Sequence, residues 1–227
     1  MALHEASRRR VAAVGSLLLC SGFALALLVA RVVYTDSTQY RNLAWNLALA
    51  WAPFLLALVV YERHRAGARP LALLAPGFLW LLFLPNAPYL LTDVFLIRFL
   101  GGVPIWFDVV LVTAFAWTGL LLGFTSLFLV HTVARAVAGS RAGWTLVLAA
   151  IALSSFGIYL GRFLRWNSWD FLVQPTVLAA SIGDHLTDPL ATSKLLGMTV
   201  LLTGFLTAGY LALYGFLHLA VQDARRD

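Results

Sequence analysis

LALLAPGFLWLLFLPNAPYLLTDVFL, residues 71–96, decides how this chain is to be read. Its apolar run from Leu71 to Leu84 is only 14 residues. At 1.5 Å per residue that is about 21 Å, short of the roughly 30 Å of a bilayer's hydrocarbon core. A crossing therefore has to include Pro85-Asn86-Ala87-Pro88-Tyr89. Two prolines three residues apart remove backbone donors and disturb the helical ladder. In lipid, such a break persists only where protein or a water-lined cavity satisfies the freed carbonyls. Discontinuous helices of this kind often mark binding sites. The pattern predicts a new half-helix capped by Asn86, with Pro88 in its first turn. That half-helix would carry Thr92 and Asp93 to a membrane interface. The plainer alternative is a proline kink with no ligand.

The rest of the chain agrees with a membrane solvent. Of 227 residues, 61% are hydrophobic and 11% charged, with mean hydropathy +0.86. Soluble domains run at roughly 45–50% apolar and about 25% charged, and a small globule could not cover so much apolar surface. The net charge of +6 and pI near 10.0 do not point to nucleic acid, because the charges lie in loops rather than in one basic patch. The one cysteine, Cys20, sits in an apolar run and reads as a small hydrophobe, so no intrachain disulfide framework is expected. Arg8, Arg9 and Arg10 precede an apolar run from Val11 to Val33, too long for a signal h-region and long enough to span. It reads as an uncleaved first helix.

These rules predict one transmembrane domain over residues 1–227, all-α, a bundle of about six helices with the third broken at Pro-Asn-Ala-Pro. The helices fall near 11–33, 43–61, 71–97, 107–132, 143–164 and 195–219. The separators are Tyr34–Gln39, Glu62–Gly67, Gly101-Gly102 with Pro104, and Ala138–Arg141. Six spans put both termini on one side. Ten of the 16 basic residues fall there: Arg8, Arg9, Arg10, Arg63, Arg65, Arg69, Arg135, Arg141, Arg225 and Arg226. The positive-inside rule then makes that side the cytoplasm. Arg31, Arg41, Arg98, Arg162, Arg165 and Lys194 fall outside, with Asp36, Asp93, Asp108, Asp170, Asp184 and Asp188. Gly119-x-x-x-Gly123 and Gly157-x-x-x-Gly161 are candidate close-packing faces.

Polar residues that hydropathy does not require gather at the outer ends. Helix five closes on Tyr159-Leu-Gly-Arg162-Phe-Leu-Arg165-Trp166-Asn167-Ser-Trp169-Asp170. At helical spacing Tyr159, Arg162, Trp166 and Trp169 would share a face. Interfacial anchoring accounts for the tryptophans. It accounts poorly for two arginines on the less basic side and not at all for Asn167 and Asp170. Trp106 and Asp108 open helix four from the same side, where Asp108 would at least suit the helix dipole. Convergence would give a polar cavity, with Asp93, Asp108 and Asp170 as candidate catalytic carboxylates. Asn86, Tyr89, Tyr159, Arg162, Arg165, Trp166, Asn167 and Trp169 would be its candidate ligand-binding side chains.

Pro85-Asn86-Ala87-Pro88-Tyr89-Leu90-Leu91-Thr92-Asp93, Trp106-x-Asp108, and Gly161-Arg162-x-x-Arg165-Trp166-Asn167-Ser168-Trp169-Asp170 resemble the hallmarks of a bacterial membrane-protein family, domain of unknown function number thirteen sixty-one. The resemblance covers nearly the whole chain. It implies a multi-pass protein of the bacterial cytoplasmic (inner) membrane and brings no activity with it.

Three function classes compete. Carboxylates beside arginines suit an outer-leaflet binding protein or enzyme acting on a lipid or lipid-linked phosphate, since arginine matches phosphate oxygens. Gly-x-Ser-x-Gly, His-Glu-x-x-His and Gly-x-x-x-x-Gly-Lys motifs do not occur in the sequence. A scaffold or partner subunit presenting its outer face to another membrane protein is the second class; residues 171–194, with Pro175 opening an amphipathic stretch, would lie on the membrane surface. A small-solute transporter is third, because the central stretches of most helices lack ionisable residues. Asn46, Thr113, Thr118, Thr125 and Ser126 read as helix–helix hydrogen bonders, and His131 as an interfacial residue. No cofactor or metal is predicted: His185 with Asp184 and Asp188 matches no standard ligand spacing.

Overall fold

The computed structural model describes residues 2–97 and 102–223, with side chains described over 11–97 and 102–217. The side chains of Arg8, Arg9 and Arg10, and Arg98, Gly101, Arg225 and Arg226, lie outside the described residues. Those described are all-helical, with no strand among them. The order is α1 (Ala2–Thr35), α2 (Arg41–Arg65), α3 (Leu71–Phe83), α4 (Asn86–Tyr89), a 3-10 turn (Leu90–Leu96), α5 (Ile105–Tyr159), a π turn (Leu160–Leu164), α6 (Asp170–Val173), α7 (Pro175–Thr187) and α8 (Pro189–Asp223). Five helical stretches are long and apolar enough to cross a membrane: Val11–Thr35, Arg41–Arg65, Leu71–Leu96, Ile105–Leu164 and Pro189–Leu217.

The separator expected at Ala138–Arg141 shrinks to one residue. Within α5 only Gly139 leaves helical geometry, at φ 87° and ψ 170°. That positive-φ, extended conformation is one that essentially only glycine adopts without strain, so the chain turns where Gly139 stands. Around the first proline of the 85–88 pair, α3 ends at Phe83, Leu84 keeps right-handed dihedrals (φ −52°, ψ −39°), and α4 starts at Asn86. Pro175 takes the first position of α7, where its missing N–H costs nothing. Asp184 lies inside α7, and Asp188 alone separates α7 from α8.

The chain divides into two compact units, one of residues 1–52 with 86–123, the other of 53–85 with 124–227. In the first, Trp51 donates from Nε1 to Ser21 Oγ at 3.2 Å, joining α2 to α1. The Gly119-x-x-x-Gly123 face of α5 receives α4. A Cβ on Gly119 would collide with the Ala87 carbonyl oxygen and sit 2.9 Å from Leu90 Cδ1, and one on Gly123 would lie 3.3 Å from Ala87 Cβ. Bare glycine Cα atoms thus let a polar backbone group approach a helix directly. In the second unit Trp80 donates to Ser126 Oγ at 3.3 Å, and a Cβ on Gly157 would be 2.7 Å from Pro85 Cγ.

Candidate functional site

Two groups of polar side chains hold the residues singled out from the sequence, one in each unit. In the first unit, the last turns of α1 supply Arg31 and the first turn of α5 supplies Asp108. Their residues are 2% and 3% exposed. The Arg31 guanidinium grips the carboxylate with two bonds, Nε to Oδ1 at 2.6 Å and Nη2 to Oδ2 at 3.1 Å. Tyr40, at the entry to α2, donates to Asp108 Oδ2 at 3.3 Å, and its ring lies 4.5 Å from the guanidinium carbon. The same hydroxyl lies 3.5 Å from the Leu96 carbonyl oxygen at the end of the 3-10 turn. A two-toothed arginine–carboxylate pair with a third donor is the geometry in which a buried charge is tolerable.

Asp93 is fully buried within the 3-10 turn, and Thr92 beside it is 3% exposed. Asn46 of α2 donates from Nδ2 to Asp93 Oδ2 at 3.1 Å. Asn86 and Tyr89, at the two ends of α4, are half-buried. α2 therefore holds the 90–96 segment at two points, Asn46 on Asp93 and Tyr40 beside Leu96.

In the second unit, α5 widens into a π turn over Leu160–Leu164, and Arg165 follows in the left-handed conformation at φ 60°, ψ 30°. The Leu160 carbonyl accepts from Arg165 N and, at 3.3 Å, from Trp166 N. π turns are frequent at functional sites, and a non-glycine residue held left-handed is strain that the fold has to sustain. The expected common face of Tyr159, Arg162, Trp166 and Trp169 does not extend past the turn: the π turn shifts the register and Arg165 ends the helix. Arg162 is half-buried and Arg165 exposed. Trp166 donates from Nε1 to Ser181 Oγ of α7 at 3.3 Å. Asp170 Oδ2 accepts from Asn167 N at 2.7 Å and from Asn167 Nδ2 at 3.2 Å, closing the turn that leads through Trp169 into α6. Tyr159 is buried, with its hydroxyl 3.5 Å from the Ala191 carbonyl oxygen.

The first unit thus holds Asn86, Tyr89, Asp93 and Asp108. The second holds Tyr159, Arg162, Arg165, Trp166, Asn167, Trp169 and Asp170. Arg31 and Tyr40 were not among the candidates. The signal for Arg31 was present: an arginine inside an apolar span needs a counter-charge. The helix–helix role expected of Asn46 and Ser126 is met, whereas Thr118 bonds its own helix at Ala114 O, 2.7 Å away. His131 is enclosed by neighbouring side chains. It is 1% exposed, its Nδ1 lies 2.9 Å from Tyr210 Oη, and Trp144 packs against its ring with centroids 4.7 Å apart. Arg135, one turn on, donates to Tyr214 Oη.

Among the described residues, no three His, Cys, Asp or Glu side chains are grouped to hold a metal ion. No curated protein and no solved structure matches the chain. A family model does match, over residues 45–208, and its description is a protein of unknown function, DUF1361. That range contains Asn46, the α4 segment, Asp93, Asp108 and the whole turn from Tyr159 to Asp170. The chain belongs to the DUF1361 family, a family of unknown function.

Proposed function

We propose that this is a six-crossing protein of the bacterial cytoplasmic membrane, with both termini in the cytoplasm. Its extracytoplasmic end would bind a lipid or lipid-linked phosphate. The apolar stretch Ile105–Leu164 is 60 residues long. That is about 90 Å of helix against a core of roughly 30 Å, so it crosses twice and turns at Gly139. The third crossing runs through Pro85 and Pro88. The bias of arginines to one side supplies the orientation.

The observation that carries the ligand reading is the π turn with its left-handed Arg165. It sets two arginines at the end of a crossing, next to a segment with apolar side chains turned outward. Phe171, Leu172 and Val173 are 48%, 53% and 69% exposed. Arginine offers phosphate oxygens paired donors, and exposed apolar residues alongside suit the boundary between headgroups and acyl chains. Binding is favoured over chemistry because each candidate carboxylate already has a structural partner: Arg31 for Asp108, Asn46 for Asp93 and the Asn167 turn for Asp170.

Native mass spectrometry of the protein released from mild detergent tests this. A phospholipid or isoprenoid phosphate should accompany the wild type and be lost from Arg162→Ala and Arg165→Ala. Retention of the same ligand by both variants would overturn the reading.

A further inference from the structure

We infer that the phosphate of this ligand is seated by Lys194 and His185, across the stacked rings of Tyr159 and Phe163; the inference rests on the outer-face binding reading above. The two rings lie 4.7 Å apart, centroid to centroid, at 34°. Lys194 Nζ stands 4.2 Å over the Phe163 ring, and the His185 ring meets Tyr159 edge-on at 6.2 Å and 70°. Two nitrogen-bearing side chains from different helices, α7 and α8, therefore flank one aromatic pair at the point where α5 becomes a π turn. Arg162 belongs to that same turn, between the two rings in sequence.

The backbone that carries these two side chains is tied in place. Thr192 Oγ1 reaches the carbonyls of His185 and Leu186, each at 3.2 Å, tying the end of α7 to the start of α8. Asp188 Oδ1 accepts from Leu190 N at 2.9 Å and caps α8. The Tyr159 hydroxyl is held near Ala191. Lys194 keeps ammonium donors that its ring contact does not use, since an ammonium has three and a ring face satisfies none as a hydrogen bond. An anchoring lysine alone would account for Lys194 but not for His185 on the other ring. The chemistry matched is a phosphate group: several acceptor oxygens, taken by a lysine, an imidazole N–H and an arginine over an apolar floor. Asp188 stands at the junction of α7 and α8, between His185 and Lys194 in the chain. It opposes an anion there and so gives the seat a signed test.

The full-length protein in mild detergent is titrated with short-chain phosphatidic acid and, separately, with inorganic phosphate. Lys194→Gln should weaken phosphatidic acid binding about tenfold, the size of one lost charge-assisted hydrogen bond. Lys194→Arg should largely retain it, and Asp188→Asn should tighten it about twofold. Equal effects on inorganic phosphate would assign the seat to phosphate itself; effects confined to phosphatidic acid would assign it to a lipid headgroup, and either supports the seat. Lys194→Gln within twofold of wild type, while Arg162→Ala loses binding, would overturn the seat and leave the outer-face reading standing. Tighter binding by wild type than by Asp188→Asn would also overturn it. Failure of the wild type to bind either probe would overturn the outer-face reading itself.

Discussion

Asp108→Ala separates a structural carboxylate from a catalytic one. In the native protein the Asp108 carboxylate is enclosed with Arg31 and accepts three hydrogen bonds, two from the guanidinium and one from Tyr40. Truncating it leaves the guanidinium buried beside the Tyr40 ring and Thr35, with its counter-charge gone. Removing one partner of a buried pair costs about 3–5 kcal/mol, most of it the stranded charge. That is a fifth or more of the roughly 5–15 kcal/mol that holds a typical domain together. Melting in detergent should fall by about 10 °C, on the scale of 2–4 °C per kcal/mol for a chain of this size. The double variant Arg31→Leu with Asp108→Leu strands no charge and should recover most of the loss, because apolar replacements of buried pairs are often neutral. If Asp108→Ala melts within about 2 °C of wild type, the pair is not a structural latch and Asp108 returns to the list of reacting groups.

Three further outcomes test the rest of the architecture. Gly119→Ala should cost about 1–3 kcal/mol in denaturant unfolding, as its methyl must displace the Ala87 carbonyl or Leu90, whereas Gly22→Ala, with nothing within 4 Å, should be neutral or stabilising. Asn46→Leu removes the amide that Asp93 accepts from and should destabilise by about 1–3 kcal/mol in the same assay. Single cysteines at Thr38 and Ala66, both exposed and placed in a Cys20→Ala background, should react with an impermeant thiol reagent on intact cells at Thr38 only. Labelling at Ala66 instead would reverse the orientation.

What the sequence disclosed and what it withheld divide along a physical line. Local signals were legible. The apolar lengths, the separator around Gly139, Pro175 at the head of α7 and the separator at Tyr34–Gln39 all depend on residues within a few positions of one another. The partners of buried polar groups depend on pairing across the chain, and hydropathy is silent on that. Arg31 finds its carboxylate 77 positions away, and His131 finds Tyr210 at a separation of 79. Counting Arg31 as one more outer basic residue assigned it a side but no neighbour. Arg165 is withheld for another reason: no propensity rule places an arginine in a left-handed cap, where glycine or asparagine is the usual choice.

Two stretches that the sequence reading treated separately lie against each other in the structure. Pro85-Asn86-Ala87-Pro88 implied freed carbonyls that protein would have to shelter, and Gly119-x-x-x-Gly123 implied a face stripped for close approach. The carbonyls freed by Pro85 and Pro88 are those four positions back, on Leu81 and Leu84; in the first unit it is the segment after the break that meets the glycine face. The Ala87 carbonyl points at Gly119, Leu90 packs on the same glycine, and Ala87 and Pro88 lie against Gly123. A carbonyl turned onto a glycine Cα can accept a weak C–H contact and is screened from lipid by the helix it meets. The segment after the break is therefore packed directly on α5 at Gly119 and Gly123. Any side chain at 119 would force the segment that carries Thr92 and Asp93 away from α5. A change at Gly119 should accordingly disturb the Asn46–Asp93 contact without touching either residue.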